Sequence, residues 1–497
     1  MRHQRTDGAE QPGWRWGPFT FRLPFYHTGV AWPEFWQGIF VAGATGLGLV
    51  PLLVGYFGLS FQEAVACIFI QSMLISSAPI LFGEPFAAGW VTPALPLAIA
   101  FILAVDGEGN AVYGTPQEKF QMMTAVSLNF AAILLFMGAT GLGHRFIRWL
   151  PDALKSGIIL GAAIAALMRV LMDEKKELLL FQPITTTVAV SICLILTFSL
   201  PVQQLKLRWR WLAKFAGLGL LPGFVIAAIV GPMVGEISYD QVLDFFRTSL
   251  TDVMAKMVVD IQSDKSVFEM GLGAFQGVLG DVILIPPFAD LYHKVSPMAI
   301  GWPSLTMFLD GFPLAIMGYV ILFGDLITGA EVIQDAQPSR PDEKIVIDVN
   351  RSHFSLAIRN ALMALFSPFF PTQGCLWTGV HVIVVQRWRE GRQSMDSLFT
   401  GISSYYVFGV PLLYLVLPLL YGLKPLMGIA LSLTLVLTGF ACAYVAMGIS
   451  KTPIERGVAL LTAVSLVVFP NPWVGMSVGA AATLLLVGLP KRDPDTM

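Results

Sequence analysis

The sequence predicts an all-α integral membrane protein, with fourteen transmembrane segments in a 7+7 inverted repeat and two of those segments broken. Three observations predict it. Apolar residues fall in long runs, basic loops alternate with loops that are acidic or uncharged, and two Pro/Gly-interrupted stretches stand at matching places in the two halves.

Of 497 residues, 55% are hydrophobic and 13% charged, where a soluble domain carries about 25% charged. The apolar residues run on without the one-sided pattern of a surface helix, which marks segments solvated by lipid. A net charge of -2 argues against a polyanion as partner, so nucleic acid is not expected. Cys67, Cys193, Cys375 and Cys442 are scattered through apolar segments without paired spacing, so neither a disulfide framework nor a zinc site is expected, and no cofactor. The opening MRHQRTDGAEQPGWRWG is polar and basic, unlike a cleaved signal peptide; the first span would direct insertion.

A helix crosses a bilayer with about 20 apolar residues, or fewer where it is broken. On that basis spans are expected near 35–55, 62–82, 90–105, 120–140, 153–172, 184–202 and 214–234, then near 311–334, 353–368, 374–387, 400–421, 424–447, 454–469 and 472–489. The organisation that follows is a cytoplasmic N-terminal segment (1–34), a first seven-span repeat (35–235), a connection (236–310), a second repeat (311–489) and a cytoplasmic tail (490–497). The connection contains EISYDQVLDFFRTSLTDVMAKMVVDIQSDK, whose apolar residues recur at helical spacing among charges, as in an amphipathic extracytoplasmic excursion. No C-terminal soluble domain is expected after PKRDPDTM.

Charge sets the expected orientation. With Arg2, Arg5, Arg15 and Arg22 on the cytoplasmic side, every second loop should be basic. Those loops hold Arg145 and Arg148, Lys206 to Arg210, Arg340 to Arg351, Arg387 to Arg392, Lys451 and Arg456, then Lys491 and Arg492. The opposite loops include the acidic VDGEGNAVYGTPQE and the uncharged PNPW, with the mixed DEKKE at 173–177. An even number of spans in an inner membrane, with both termini cytoplasmic, satisfies this alternation.

The broken segments carry the chemistry. Pro85, Gly89, Pro93 and Pro96 interrupt ILFGEPFAAGWVTPALPLAIAFILAV, and Pro368, Pro371 and Gly374 interrupt LFSPFFPTQGCLWTGVHVIVVQRW. They are the third and tenth segments, and such a pair at corresponding positions is the sequence pointer to a transporter's binding site. Unwound backbone cannot face lipid, so it must line a polar cavity. The half-helices that follow, expected to start near Pro93 and Cys375, turn free N–H groups and a positive dipole end toward that cavity. Trp90, Val91 and Thr92 on one side, and Thr372, Gln373, Gly374 and Cys375 on the other, are the candidate substrate-binding residues. Ordinary kinks are the plainer reading, which the matched pair disfavours.

Asp325 lies deep in FPLAIMGYVILFGDLITGAEVI, where lipid exposure would cost about 2.5–3.5 kcal/mol. It is read as a ligand or coupling-ion contact, with a structural hydrogen-bonded Asp as the alternative. Glu331 and Glu84 read as solvated or interfacial carboxylates. Gln37, Gln71 and Asn129 read as bundle-facing hydrogen-bonders, His381 as an interhelical histidine or a proton relay, and Lys155 as a cytoplasmic anchor. GLGLLPG and GLGAFQG lack the strand–helix context of nucleotide loops.

Several strings then resemble a known group, the fold shared by nucleobase–ascorbate (uracil/xanthine) permeases and sulfate permeases. WQGIFVAGATGLGLVPLL at 36–53 resembles the first helix of the uracil permease class. WLPDALKSGIILGAAIA at 149–165 is similar to the start of the fifth helix in both families, LKPLMGIALSLTL at 423–435 to its counterpart in the twelfth, and FPTQGCLW at 370–377 to the turn before the tenth helix of sulfate permeases. The likeness spans nearly the whole chain through degenerate motifs. It departs from nucleobase permeases at Gln37-Gly38, where they carry Gln-His, and at Leu376, Trp377 and Gly379, where only the glycine of their tenth-helix signature stands; Asp325 aligns with their eighth-helix glutamate. It departs from sulfate permeases in lacking their C-terminal regulatory domain. The resemblance implies a core of spans 1–4 and 8–11 moving against a gate of spans 5–7 and 12–14, and a homodimer.

The function expected is a secondary active transporter, a permease moving a small solute, an anion in the first reading, by alternating access coupled to protons or sodium. A nucleobase-type permease and an anion channel are the alternatives. A membrane enzyme would need clustered ligands such as H-E-x-x-H, which the sequence lacks.

Overall fold

A computed structural model describes residues 5–39, 43–105, 108–143, 145–146, 150–172, 182–216, 220–240, 242–244, 247–248, 251, 282–370, 373–407, 414–469 and 471–488. Most of the expected amphipathic excursion, 252–281, lies outside the described residues, as does the tail from 489.

The chain begins with a feature the all-α expectation omits. Two three-residue strands, β1 (Trp14–Trp16) and β2 (Phe19–Phe21), pair antiparallel with Trp14 opposite Phe21. Strands this short carry no periodicity that a sequence reading can detect. The segment around them is tied down at a distance. Arg5 donates to Asp342 Oδ2 at 2.8 Å and to the Asp396 carbonyl at 3.0 Å. Arg340 grips Asp342 Oδ1 at 2.8 Å and the Trp388 carbonyl at 2.7 Å, while the buried Glu343 accepts from Trp388 Nε1 and Ser397 Oγ.

The first expected span is in pieces: α1 (Trp32–Gln37), α2 (Gly43–Leu47) and α3 (Val50–Phe57), the last ended by Gly58 at φ +70°. Helix α4 (Phe61–Leu81) starts at a reciprocal Ser60/Glu63 cap. Non-helical backbone follows to Val91, then a 3-10 turn at Thr92–Ala94 and α5 (Leu95–Ile102). Next come α6 (Pro116–Thr140), with a Thr115/Glu118 cap and Pro in its first turn, and α7 (Asp152–Leu171). Helix α8 (Pro183–Phe198) bends by 61° into α9 (Leu200–Arg208), and α10 (Arg210–Ala216) and α11 (Leu221–Met233) close the first half. Pro201 can neither donate nor continue the ladder at that bend.

After the connection, α12 (Phe288–Val295) and α13 (Pro297–Ile300) lead to α14 (Leu305–Ala336), capped by Ser304, and α15 (Val349–Phe366), capped by Asp348. The second half continues through α16 (Thr378–Arg389), α17 (Leu398–Val407), α18 (Leu417–Leu423), α19 (Met427–Ile449), α20 (Pro453–Val468) and α21 (Pro472–Leu486).

Five of the described helical stretches are long and apolar enough to cross a membrane, or six with the bent α8–α9 pair taken as one. Several other expected spans coincide with shorter helices. At about 1.5 Å per residue, the 8 residues of α5 and the 12 of α16 reach only part of the way through a bilayer. Packing sorts the helices into two groups. In one, α6 lies against α14 and α15, with α4, α16 and α17 beside them; in the other, α7 lies against α19 and α20, with α8, α11 and α21. The 3-10 turn and α14 touch both, while α5 lies against α7 and α20.

Candidate functional site

The two broken segments meet. The N–H of Gly374 donates to the Gly89 carbonyl at 2.7 Å, and that of Trp377 to the Ala87 carbonyl at 2.7 Å, an antiparallel pairing of two stretches 285 residues apart. Proline and glycine keep both stretches out of helix, and each supplies part of the other's missing backbone partners. The approach is close enough to require glycine. A Cβ on Gly374 would stand 2.8 Å from the Gly89 carbonyl oxygen, and one on Gly89 would stand 2.7 Å from Trp377 Cβ. From this crossing the chain enters α5 one way, through the turn at Thr92–Ala94, and α16 the other, so the second half-helix begins three residues later than Cys375.

The candidate residues separate. Trp90 is half-buried, and its ring stands 6.2 Å from the half-buried Trp377 at an interplanar angle of 53°. Behind them Tyr405 lies edge-on to Trp377, Tyr406 donates to the Ala88 carbonyl, and Tyr414 donates to Gly43 of α2 at 3.3 Å. Val91, fully buried, packs on Gly374. The backbone of Thr92 forms the 3-10 turn. Thr372 lies outside the described residues. Gln373 is fully buried and engaged elsewhere: its Oε1 accepts from Arg359 at 3.4 Å and its Nε2 donates to the Gln71 carbonyl at 3.1 Å. Its side chain braces the segment against α4 and α15. Cys375 is also turned inward, its thiol donating to the Leu322 carbonyl at 3.5 Å.

Asp325 stands over this crossing on α14. The second segment touches that helix at Leu322, through Cys375, and at Gly329, whose carbonyl lies 3.2 Å from His381 Nε2. Asp325 falls between these points, within about a turn of each and toward the same side of the helix. It is half-buried, and Gly324, Thr328, Glu331 and Asp335 form an exposed stripe beside it. Glu331 is exposed on this stripe, which runs from beside Asp325 to the end of the helix. His381 is the satisfied interhelical histidine: Nδ1 accepts from the Ala87 N–H at 3.2 Å, which leaves Nε2–H to donate to Gly329.

One carboxylate is misplaced by the sequence reading. Glu84, expected at the interface, is 3% exposed and accepts from Ser352 Oγ at 2.6 Å. The chain folds back after α4 against α15, so a residue next to a helix end becomes interior. Gln71 and Asn129 make their expected hydrogen bonds, to Ser367 and to the Phe308 carbonyl, and Lys155 pairs with Asp152 at 2.6 Å. The reading overlooked Trp377, the three tyrosines and Arg359. For Arg359 the signal was present, a lone guanidinium inside an expected span, the same signal that singled out Asp325.

The described arrangement is an apolar helical bundle in which two non-helical segments pair beside Asp325 of α14. No family model matches the chain, and no curated protein matches it. Among solved structures it is similar to the transmembrane domain of a cyanobacterium bicarbonate transporter, BicA, at 14% identity over 90% of this chain and 96% of that one, with a TM-score of 0.45. It is also similar to SLC26A9 (12% identity, 92% and 65% covered, TM-score 0.42) and to the murine Solute Carrier 26 family member A9 anion transporter in the inward-facing state (13%, 92% and 68%, 0.39).

Proposed function

We propose that this chain is a secondary transporter that carries a small anion across the inner membrane, holding it where the two broken segments cross. The observation that carries the reading is the backbone pairing of Ala87–Gly89 with Gly374–Trp377. It joins the segment that leads into α5 to the segment that leads into α16 inside an apolar bundle, and the amide N–H groups and dipole ends of such half-helices favour negative charge. Trp90 and Trp377 stand beside the crossing, their rings 6.2 Å apart and tilted by 53°. Asp325 adds a negative charge beside an anion site, which a coupling sodium ion or proton at that carboxylate would neutralise.

In this reading the chain forms fourteen segments in two inverted repeats, 35–235 and 311–489, with both termini cytoplasmic. The α6–α14–α15 group is the core that carries the site, and the α7–α19–α20 group is the gate. Alternating access is the movement of one against the other, with α14 and the turn at Thr92–Ala94 at the seam. The test is uptake of radiolabelled bicarbonate, chloride and sulfate into proteoliposomes, with and without a sodium or proton gradient and with uracil as competitor. Saturable anion uptake that uracil leaves unchanged is expected; uptake of uracil alone, or non-saturating conductance, would refute the reading.

A further inference from the structure

Arg359 sits in the middle of α15 and is 1% exposed. Its Nη1 donates to Gln373 Oε1 at 3.4 Å and its Nη2 to the Gly374 carbonyl at 3.2 Å. Its Nε is buried without an acceptor among the described residues. No carboxylate among those residues lies within ion-pair distance of it. Glu84, which acts on it electrostatically across a longer gap, is engaged by Ser352. The next residue, Asn360, donates to the Gln373 carbonyl at 3.0 Å. A guanidinium that is buried, incompletely bonded and lacking a contact counter-ion is costly to keep in an apolar interior. Simple bracing would be served by a neutral donor, as it is at Asn360.

We infer that Arg359 is a positioning residue that gives the crossing its preference for anions, deepening the reading above on which it rests. Its charge is held against the carbonyl side of the Gly374–Cys375 peptide. In a trans peptide the N–H points opposite to the C=O, so the Cys375 N–H is turned away from α15 and is made a stronger donor by the cation behind it. The charge also lies next to the segment's Gly374–Gly89 bond, so one side chain both fixes the crossing and biases its field. The class of ligand this selects is a small oxyanion or halide.

The experiment compares wild type, R359K, R359Q and the double variant R359Q/E84Q, all full-length and in proteoliposomes of one composition. The probes are radiolabelled chloride, bicarbonate and sulfate, with thermal unfolding of each protein as the check on folding. For the anion that the wild type carries, R359Q raises the half-saturation concentration about tenfold with a smaller effect on maximal rate. R359K, which keeps the charge, recovers most of the affinity. Should R359Q fail to fold, the double variant, which removes the opposing buried charge as well, provides the comparison and shows the same raised half-saturation. Folded R359Q or R359Q/E84Q with wild-type half-saturation overturns the role of Arg359 and leaves the transport reading standing. A wild type that neither carries nor is thermally stabilised by any of the three anions removes both.

Discussion

Replacing Gly374 by alanine tests the crossing directly. The new Cβ would stand 2.8 Å from the Gly89 carbonyl oxygen, 3.1 Å from Val91 Cγ2 and 3.2 Å from Val91 N. Two of these three neighbours are backbone atoms, which cannot rotate away. Reaching an ordinary C···O contact of about 3.3 Å requires the segments to part by about 0.5 Å. That stretches the 2.7 Å Gly374–Gly89 hydrogen bond toward the end of the normal range. Weakening the bond costs about 0.5–1.5 kcal/mol and crowding a packed interior about 1–3 kcal/mol, so destabilisation of roughly 2–4 kcal/mol is expected. Solute affinity should fall about tenfold or more, because the N–H groups on both sides of the crossing move together. Gly324→Ala is the control, since a Cβ there meets nothing within 4 Å, and its effect should stay within about 1 kcal/mol. Thermal unfolding in nanodiscs and uptake into proteoliposomes measure both quantities. Wild-type stability and uptake in G374A, or equal damage from G324A, would refute the claim that close backbone approach holds the site together.

Asp325→Asn should abolish gradient-driven uptake while leaving the unfolding midpoint within a few degrees of wild type; undiminished sodium- or proton-driven uptake would reject a coupling role. His381→Ala removes both bonds that tie α16 to Ala87 and Gly329 and should destabilise by about 2–4 kcal/mol, visible as a lower thermal midpoint. Asp342, hydrogen-bonded by Arg340 and close to Arg5, has its carboxyl held below the ordinary value of 3.8. A depressed folded pKa means that its contribution is present above that value and is lost as pH falls through the lower folded value. Unfolding midpoints measured from about pH 6 to about pH 3 should drop at the acid end in wild type and drop less steeply in D342N. The same D342N change should cost about 2–3 kcal/mol at neutral pH by leaving two buried arginines short of a partner.

Much of the architecture was legible because lipid imposes simple rules on sequence. Apolar runs located α4, α6, α7 and α19 to within about four residues and α14 apart from a start six residues early, and prolines and glycines located both interruptions. Asp325 stood out as a carboxylate in an apolar run. The orientation of side chains along the extended segments was not legible. Unwound backbone has no period from which to tell a fully buried residue from a half-buried one, so Gln373 and Cys375 were grouped with Trp90 although they are bonded inward, to Gln71, Arg359 and the Leu322 carbonyl. Glu84 was misread because sequence adjacency to a helix end says nothing about which neighbour will cover it. Trp377, Tyr405, Tyr406 and Tyr414 acquire their roles only when the segments cross, through pairings that join positions near 45, 90, 375 and 410. The short strands β1 and β2 fell below any detectable pattern.

The lacing of Arg5 to Asp342 and Asp396 has a consequence for biosynthesis. The partners of the fifth residue are made more than 330 residues after it. At about 5–20 residues per second, the leading segment waits roughly 20–70 s before its carboxylates emerge. During that interval its exposed tryptophans have no finished surface to rest on. A nascent-chain arrest before position 342 should therefore leave the leading segment open to protease, and an arrest well beyond position 400 should protect it.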